Sequence, residues 1–298
     1  MPNSEMMAQV TGKGGFVAAL DQSGGSTPAA LRLYGIPDTA YRGDAEMFEL
    51  VHAMRVRIMT APAFDGAKVI AAILFEATMD GRAGGKPVPA FLWEERRVVP
   101  FLKVDQGLEA EHGGVRLMKP MPALDALLAR AAKLGVAGTK MRSVVDLPAP
   151  EGIAAVVKQQ FEVAARIAGY GLLPIVEPEV SIGSPDKAGA EAILLKELVG
   201  NLDALPDGRR VMLKLTLPDV PNLYAPLTTH ARVARVLALS GGYAREDACR
   251  RLAANHGVIA SFSRALAEGL RHSMSDGAFD AALAASIDEI HRASTVKL

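Results

Sequence analysis

Short apolar runs alternate along the chain with longer amphipathic segments of helical period. Eight such runs occur: GFVAALD from 15, KVIAAILFE from 68, VVPFLKVD from 98, GVAGTKMR from 135, LLPIVEPE from 172, VMLKLTL from 211, RVLALSGG from 235 and GVIASFSR from 257. Strands that alternate with helices are typical of repeated βα units and a parallel sheet. Because eight such units close a sheet on itself, the pattern predicts an α/β fold consisting of one (β/α)8 TIM barrel.

The segments between the runs support this fold. An apolar stripe at helical spacing predicts a helix over 125–135, which ends at its glycine, and the same spacing predicts a second helix over 152–171. Segments 80–90 and 182–189 are rich in proline and glycine and are interpreted as loops near the barrel mouth. No shift in composition divides the chain, so we expect a single domain over 1–298.

Composition and charge narrow the classes of partner. Lys and Arg number 33, as do Asp and Glu, so no basic surplus indicates nucleic-acid binding. The apolar run at 69–75 is too short to span a bilayer, so no membrane partner is expected. The single Cys249 cannot form an internal disulfide, and the first residues lack the pattern of a signal peptide. These features predict a cytoplasmic protein.

Charged residues recur where the predicted strands end. Glu177 and Glu179 are two residues apart on one strand, so both side chains point to the same face. Two such carboxylates resist joint ionisation unless cations lie nearby. Other strand ends supply both signs of charge, in Asp21, Lys103, Asp105, Lys140 and Arg142. Since the carboxyl ends of barrel strands meet at one mouth, we expect these residues to form one catalytic cluster. A purely structural ion-pair cluster is the alternative interpretation.

Lys214 is the most informative of the charged residues. It lies in the run VMLKLTL among Val211, Leu213, Leu215 and Leu217, which predicts apolar surroundings, and lysine is rarely buried. A neutral buried lysine attacks carbonyl carbon and forms a Schiff base. The alternative is a lysine that extends from the strand end to solvent.

Metal ligation is not indicated by the sequence. The six histidines and the one cysteine show no spacing typical of metal ligands. We therefore expect no metal and no cofactor, with the iminium acting as the electron sink.

Two segments are candidates for phosphate binding. Ser240, Gly241 and Gly242 follow the seventh strand, where backbone N–H groups can bind an anion, and Arg264 follows the eighth. Such a segment is often a simple turn, but this position favours phosphate. At the other end of the chain Ser23 and Ser26, together with Lys103, are candidates for a second phosphate. The predicted substrate is a small molecule with a phosphate at each end.

From ALDQSGGST to SFSRALAEGL, these motifs resemble the class I fructose-1,6-bisphosphate aldolases of the short bacterial type. The resemblance implies reversible cleavage of fructose 1,6-bisphosphate, a sugar bisphosphate of glycolysis and gluconeogenesis, to dihydroxyacetone phosphate and glyceraldehyde 3-phosphate. It also implies a homo-oligomer. By this resemblance Lys214 forms the Schiff base, Glu179 assists imine formation and dehydration, and Glu177 moves protons to the hydroxyl groups. Asp21 handles the C4 hydroxyl proton, while Lys140 and Arg142 are charge partners near the reacting carbonyl.

The resemblance likewise implies that Ser240, Gly241 and Arg264 bind the C1 phosphate, and that Ser23, Ser26 and Lys103 bind the C6 phosphate. Two features depart from animal aldolases: Ser263 replaces the glycine before the arginine, and the sequence ends HRASTVKL without a tail that carries a terminal tyrosine. Two alternatives remain open. One is a Schiff-base aldolase for another sugar phosphate, and the other is a non-catalytic barrel that binds sugar phosphates.

Overall fold

The computed structural model describes residues 3–23 and 26–298. The strands are β1 (Phe16–Leu20), β2 (Val69–Leu74), β3 (Arg82–Ala83), β4 (Lys86–Pro87), β5 (Val99–Lys103), β6 (Val115–Arg116), β7 (Gly138–Val145), β8 (Leu173–Val180), β9 (Val211–Thr216), β10 (Val233–Leu239) and β11 (Val258–Phe262). The helices are α1 (Ser4–Gly12), α2 (Ser26–Leu33), α3 (Asp44–Thr60), α4 (Glu76–Met79), α5 (Val88–Glu94), α6 (Leu124–Lys133), α7 (Pro150–Gly169), α8 (Lys187–Asp203), α9 (Ala225–Thr228), α10 (Arg245–Ala253), α11 (Arg264–Ala267) and α12 (Asp276–Thr295), with a 3₁₀ turn at Asp38–Ala40.

Eight parallel strands close into a barrel in the order β1, β2, β5, β7, β8, β9, β10 and β11. The pairing of β5 with β7 and of β11 with β1 completes the circle. Each of these strands overlaps one of the eight runs of the sequence pattern, and β7, β8 and β10 extend beyond their runs by one to three residues, so the predicted (β/α)8 barrel is confirmed. The short strand β6 pairs antiparallel with the end of β7 and lies outside the barrel.

Strand periodicity divides the core into two apolar layers. Side chains such as Phe101, Ile175 and Met212 fill the barrel interior, whereas their neighbours in sequence pack outward against the helices. Helix α1 crosses the amino-terminal end of the barrel, where Val10 joins the interior cluster and Gln9 Nε2 donates to Ile70 O at 2.8 Å. The carboxyl ends of the strands carry the polar residues.

The two predicted helices are confirmed as α6 and α7, and each of their four ends shifts by one or two residues from the predicted position. The prediction of a loop over 80–90 is wrong in part, because β3 and β4 form a short hairpin there and α5 begins at Val88. Gly84 and Gly85 make the tight turn with φ of 54° and 79°, which suits glycine at both central positions. Across the described residues, no helix combines the length and apolar character needed to cross a membrane.

Gly138 on β7 lies where any side chain would collide with the neighbouring strands β8 and β5. A Cβ atom there would lie 2.2 Å from Leu173 O and 2.4 Å from Phe101 Cε1. We therefore expect Gly138→Ala to lower the free energy of unfolding by about 1–3 kcal/mol or more, because overpacking a closed barrel forces strands apart. Gly200→Ala in α8 is the matched control, since its Cβ would meet nothing within 4 Å. Urea unfolding should show this control stabilised by about 0.5–1 kcal/mol, and equal effects of the two substitutions would contradict the packing argument.

Candidate active site

A cavity of about 480 Å³ opens at the carboxyl ends of the barrel strands. Eleven residues that the sequence singled out line it: Asp21, Ser23, Lys103, Lys140, Arg142, Glu177, Glu179, Lys214, Ser240, Gly241 and Arg264. Gly242 lines a neighbouring cavity instead. Ser26 begins helix α2, but its side chain lies outside the described part of the structure. Eleven predicted candidates therefore meet in one cavity, whereas Asp105 and Gly242 do not line it.

Strand alternation explains why charges point into this cavity and also corrects one expectation. Leu213 and Leu215 belong to the outer layer under the helices, so they lie on the opposite face of β9 from Lys214. On the inner face, Lys214 has the apolar Met212 below it and a carboxylate beside it. Lys214 is buried, as predicted, but the apolar residues next to it in sequence do not surround its amine.

Four buried side chains form a chain of alternating charge across the barrel mouth. Lys140 Nζ lies 2.6 Å from Asp21 Oδ2 and 3.0 Å from Glu177 Oε2. The other oxygen of Glu177, Oε1, lies 3.0 Å from Lys214 Nζ. These residues come from β7, β8 and β9 and from the end of β1, a strand that is not adjacent to β7. The contact between Asp21 and Lys140 therefore spans the mouth and exists only in the closed barrel.

The alternation keeps both carboxylates charged. Burial by itself raises the pKa of Asp21 and Glu177, but the nearby ammonium groups of Lys140 and Lys214 outweigh it and leave both pKa values lowered. At Lys140, burial favours the neutral amine, yet Asp21, Glu177 and Asp105 together raise its pKa. At neutral pH the site thus holds two ionised carboxylates with a permanent cation between them.

Glu179 and Arg142 form a second ion pair nearer to solvent, through Arg142 Nε. Burial opposes the charge on the Arg142 guanidinium, but Glu179 outweighs it and raises the pKa of Arg142. The two glutamates of the sequence VEPE therefore have different partners. Glu177 contacts the lysines in the interior, and Glu179 contacts an arginine at the rim.

Lys103 is already paired. Its Nζ lies 2.7 Å from Asp105 Oδ1 and donates to Asp105 O at 2.6 Å. Asp105 Oδ2 also accepts from the backbone N–H of Arg142 at 3.2 Å. A phosphate bound by Lys103 must share this lysine with Asp105. The spacing of Lys103 and Asp105 in LKVD was visible in sequence, but their mutual pairing was not.

The backbone of Glu177 is fixed from behind the sheet. Strand β8 pairs with β9 at Ile175 with Met212 and at Val176 with Leu213. The next amide along β8, that of Glu177, donates instead to Oε1 of the buried Gln160 on α7, at 2.8 Å. The side chain of Gln160 thus replaces a strand partner at the point where Glu177 enters the cavity.

The predicted anion loop lies beside the predicted arginine. Gly241 and Gly242 have φ of 62° and 126°, and a Cβ added to Gly241 would lie 2.7 Å from Ile182 Cγ2. A Cβ on Gly242 would lie 3.4 Å from a guanidinium nitrogen of Arg264. Glycine is required here by both conformation and space. This arrangement brings backbone N–H groups and a guanidinium to one side of the cavity.

Three lining residues were not singled out as site residues from the sequence. Gln22 Nε2 donates to Ser263 Oγ at 2.7 Å, which joins the ends of β1 and β11. The buried Ser261 Oγ faces the same cavity and has no hydrogen-bond partner among the described residues. Their positions at strand ends within the quoted motifs were the available signal. Polar residues at such ends are typical of substrate contacts in barrel enzymes.

A (β/α)8 barrel with buried acid and base groups at the carboxyl ends of its strands is typical of an enzyme. A family model, fructose-bisphosphate aldolase class-I, matches residues 9–220. The chain belongs to this family. No group of three or more His, Cys, Asp or Glu side chains suited to a metal ion occurs within residues 3–23 and 26–298.

Relatives extend the similarity over nearly the whole chain. It is 53% identical over 293 residues to a Synechocystis sp. protein named fructose-bisphosphate aldolase class 1, covering 98% of each chain. It is 52% identical over 292 residues to the protein of that name from Porphyromonas gingivalis, covering 98% of this chain and 99% of the relative. The fold is similar to that of fructose-bisphosphate aldolase from Plasmodium falciparum, solved with TRAP and a small-molecule inhibitor. The two structures superpose with a TM-score of 0.75 at 19% sequence identity, and the matched region covers 99% of this chain and 96% of the Plasmodium chain.

We predict that Lys140→Met lowers the free energy of unfolding at pH 7 by about 3–5 kcal/mol, because it leaves two buried carboxylates without their shared cation. In the wild-type protein the lowered pKa values mean that these carboxylates stabilise the fold fully above their unfolded-state pKa values of about 4. That contribution is lost only as the pH falls through the still lower folded-state values.

In Lys140→Met, Asp21 loses its ion-pair contact and burial raises its pKa, whereas Glu177 keeps its contact with Lys214, so acid protonates Asp21 in the folded state and relieves the penalty. The stability deficit relative to wild type should therefore shrink between pH 7 and about pH 5. Urea unfolding at the two pH values measures it, with the exposed Lys133→Met on α6 as the control. A deficit that is the same at both pH values would contradict the proposed electrostatic role of Lys140.

Proposed function

We propose that the protein reversibly cleaves fructose 1,6-bisphosphate to dihydroxyacetone phosphate and glyceraldehyde 3-phosphate through a Schiff base on Lys214. The observation that carries this proposal is the buried amine of Lys214, 3.0 Å from Glu177 Oε1 and facing the cavity. Membership of the class-I aldolase family supports the substrate and the reaction.

Imine formation requires a proton acceptor next to the amine and an acid for the departing water. Glu177 is suited to accept the proton of Lys214, because its carboxylate is in contact with the amine and ionised. The neutral amine attacks C2 of the ketose, and the carbinolamine loses water to give the iminium. Glu179 is our candidate for the acid, because it lies nearer to the rim, where it can exchange protons with solvent.

Carbon–carbon cleavage then requires a base at the C4 hydroxyl. Asp21 remains ionised beside Lys140 and lines the same cavity, so it is the candidate that takes this proton. As the proton leaves, the C4 carbonyl forms, the C3–C4 bond breaks, and its electron pair moves to the iminium nitrogen to give an enamine. Glyceraldehyde 3-phosphate departs. Protonation at C3 and hydrolysis of the resulting iminium release dihydroxyacetone phosphate and restore Lys214.

The substrate's two phosphates match polar groups on two sides of the cavity. We assign the C1 phosphate to Ser240, to the backbone N–H groups of Gly241 and Gly242, and to Arg264. The C6 phosphate is assigned to Ser23, Ser26 and Lys103. This two-ended arrangement favours a bisphosphate over the monophosphate substrate of a different Schiff-base aldolase. The acid and base groups around Lys214 disfavour a non-catalytic binding barrel, because burying them serves no purpose in simple binding.

Borohydride trapping tests the covalent step. Incubation with dihydroxyacetone phosphate, sodium borohydride and a chelator should add one reduced adduct, which mass spectrometry maps to Lys214. Lys214→Met should carry no adduct at this position and should lose at least about 10⁴-fold in kcat, because no other group supplies the nucleophile. Lys133→Met controls for the loss of a lysine. An active wild-type enzyme with no adduct, or with the adduct on another lysine, would refute the assignment.

The two-ended phosphate site predicts a specific loss of discrimination. In the double variant Lys103→Met/Asp105→Asn, kcat/KM for fructose 1,6-bisphosphate should fall about 10- to 100-fold, the value of a charged hydrogen bond. The variant also removes the partner of Lys103, so no carboxylate is left buried and unpaired. For fructose 1-phosphate, which lacks the C6 phosphate, kcat/KM should stay near the wild-type value. An equal fall in kcat/KM for both substrates would show that Lys103 does not act on the C6 phosphate.

Three further expectations are part of the proposal. We infer that residues 1–298 act as one domain, that the protein works in the cytoplasm, and that it assembles as a homo-oligomer. The first follows from the even pattern of the sequence, the second from its cysteine usage, and the third from the family resemblance. We expect sedimentation or light scattering to give a mass of twice 31.4 kDa or a higher whole multiple of it.

A further inference from the structure

Outside the cavity, Lys187 and Glu191 form an ion pair that the proposed chemistry does not use. Lys187 Nζ contacts Glu191 Oε1 at 2.5 Å, Leu217 O at 2.9 Å and Asp219 Oδ1 at 3.1 Å. Glu191 Oε2 accepts from the backbone N–H of Asp219 at 3.0 Å. Lys187 is 5% exposed and Glu191 is fully buried. All three donors of the ammonium and both oxygens of the carboxylate are thus engaged.

Stability does not account for this pair. A buried ion pair is often no more stabilising than apolar residues of similar volume, because both charges lose their hydration. Lys187 is also the first residue of α8, at the positive end of the helix dipole, where a cation is unfavourable. A lysine that precedes its glutamate by four residues is the weaker of the two orientations. The local energetics therefore disfavour this pair at this position.

The groups that the pair fixes lie on the backbone immediately after β9, the strand that carries Lys214. Beyond the pairing of Val176 with Leu213, the carboxyl end of β9 is tied towards β8 and α8 by side chains. Thr216 Oγ1 donates to Val180 O at 2.7 Å. Immediately after it, Lys187 binds the carbonyl of Leu217, and Glu191 binds the amide of Asp219. These bonds lie three to five residues from Lys214 and hold the backbone as it leaves the barrel.

We propose that Lys187 and Glu191 are positioning residues for the aldolase reaction, which hold the end of β9 so that the Lys214 amine stays against Glu177. This inference rests on the proposed Schiff-base function of Lys214. The pair touches neither the substrate nor the reacting atoms. Its effect is expected on the steps that Lys214 carries out and not on the binding of the phosphates, since the phosphate candidates lie on other strands and loops.

The test uses the full-length double variant Lys187→Met/Glu191→Leu, which removes both charges together and leaves neither unpaired. We expect its melting temperature to equal or exceed that of wild type. We expect kcat on fructose 1,6-bisphosphate and the rate of borohydride-trapped imine formation to fall about 10- to 100-fold, with KM nearly unchanged, as for a small misplacement of a reacting group. The exposed pair Arg166 and Asp125, replaced as Arg166→Met/Asp125→Asn, is the matched control and should leave kcat unchanged.

Each outcome decides the proposal. A stable double variant with wild-type kcat and wild-type trapping rate would overturn it, and so would a variant that loses melting temperature but keeps its kcat. If wild type itself gives no Lys214 adduct, the proposed function fails and the positioning role fails with it. If wild type is trapped and only the variant is slow, both are supported.

A milder variant covers the case in which the double variant does not fold. Glu191→Gln keeps an oxygen for the amide of Asp219 but removes the charge that faces Lys187. We expect an intermediate fall in kcat, together with faster amide hydrogen exchange over residues 214–222 than in wild type. Wild-type exchange in this segment combined with wild-type kcat would show that the pair does not position β9.

Discussion

The site depends on one arrangement, in which charges of opposite sign alternate across the barrel mouth. Asp21, Lys140, Glu177 and Lys214 are all buried, and each lies within 3.0 Å of an oppositely charged neighbour. Removing either middle member, Lys140 or Glu177, leaves a buried charge without its partner, which is strongly unfavourable. The arrangement needs four strand ends at one level, and only a closed barrel with the observed register provides them. The fold and the chemistry are therefore linked through electrostatics.

Much of the fold and of the site could be predicted from the sequence, because the periodicities of helices and strands are visible in short segments of the chain. The alternation of apolar runs with amphipathic helices predicted eight strands, and the two-residue period predicted that Glu177 and Glu179 share a face. The side-chain contacts between residues on different strands could not be predicted from the sequence. Lys214 has apolar neighbours in sequence, but they point outward, and its real neighbour Glu177 is 37 positions away in the chain. The hairpin at 82–87 was likewise not predicted, because the composition of this segment is typical of loops.

Residues on the surrounding helices bind the backbone near the charged cluster, and no pattern in the sequence predicted them. Gln160 on α7 binds the amide of Glu177, and Lys187 and Glu191 on α8 bind the backbone that follows β9. In sequence each is an ordinary polar residue of an amphipathic helix, so its place would be read as solvent-facing. Only the fold reveals that these polar groups face the sheet, where the ends of β8 and β9 need partners. Precise placement of reacting groups depends on such supporting contacts.

We propose that this alternating cluster holds Lys214 for covalent attack on a substrate with a phosphate at each end. A crystal structure of the wild-type protein, reduced with borohydride in the presence of fructose 1,6-bisphosphate, tests it most directly. We expect continuous density from Lys214 Nζ to C2 of the sugar, with Lys140 still between Asp21 and Glu177. We also expect one phosphate at Gly241 and Arg264 and, where the sugar is uncleaved, the other at Lys103. A ligand bound without a covalent link, attached to another lysine, or accompanied by a dispersed charge cluster would contradict it.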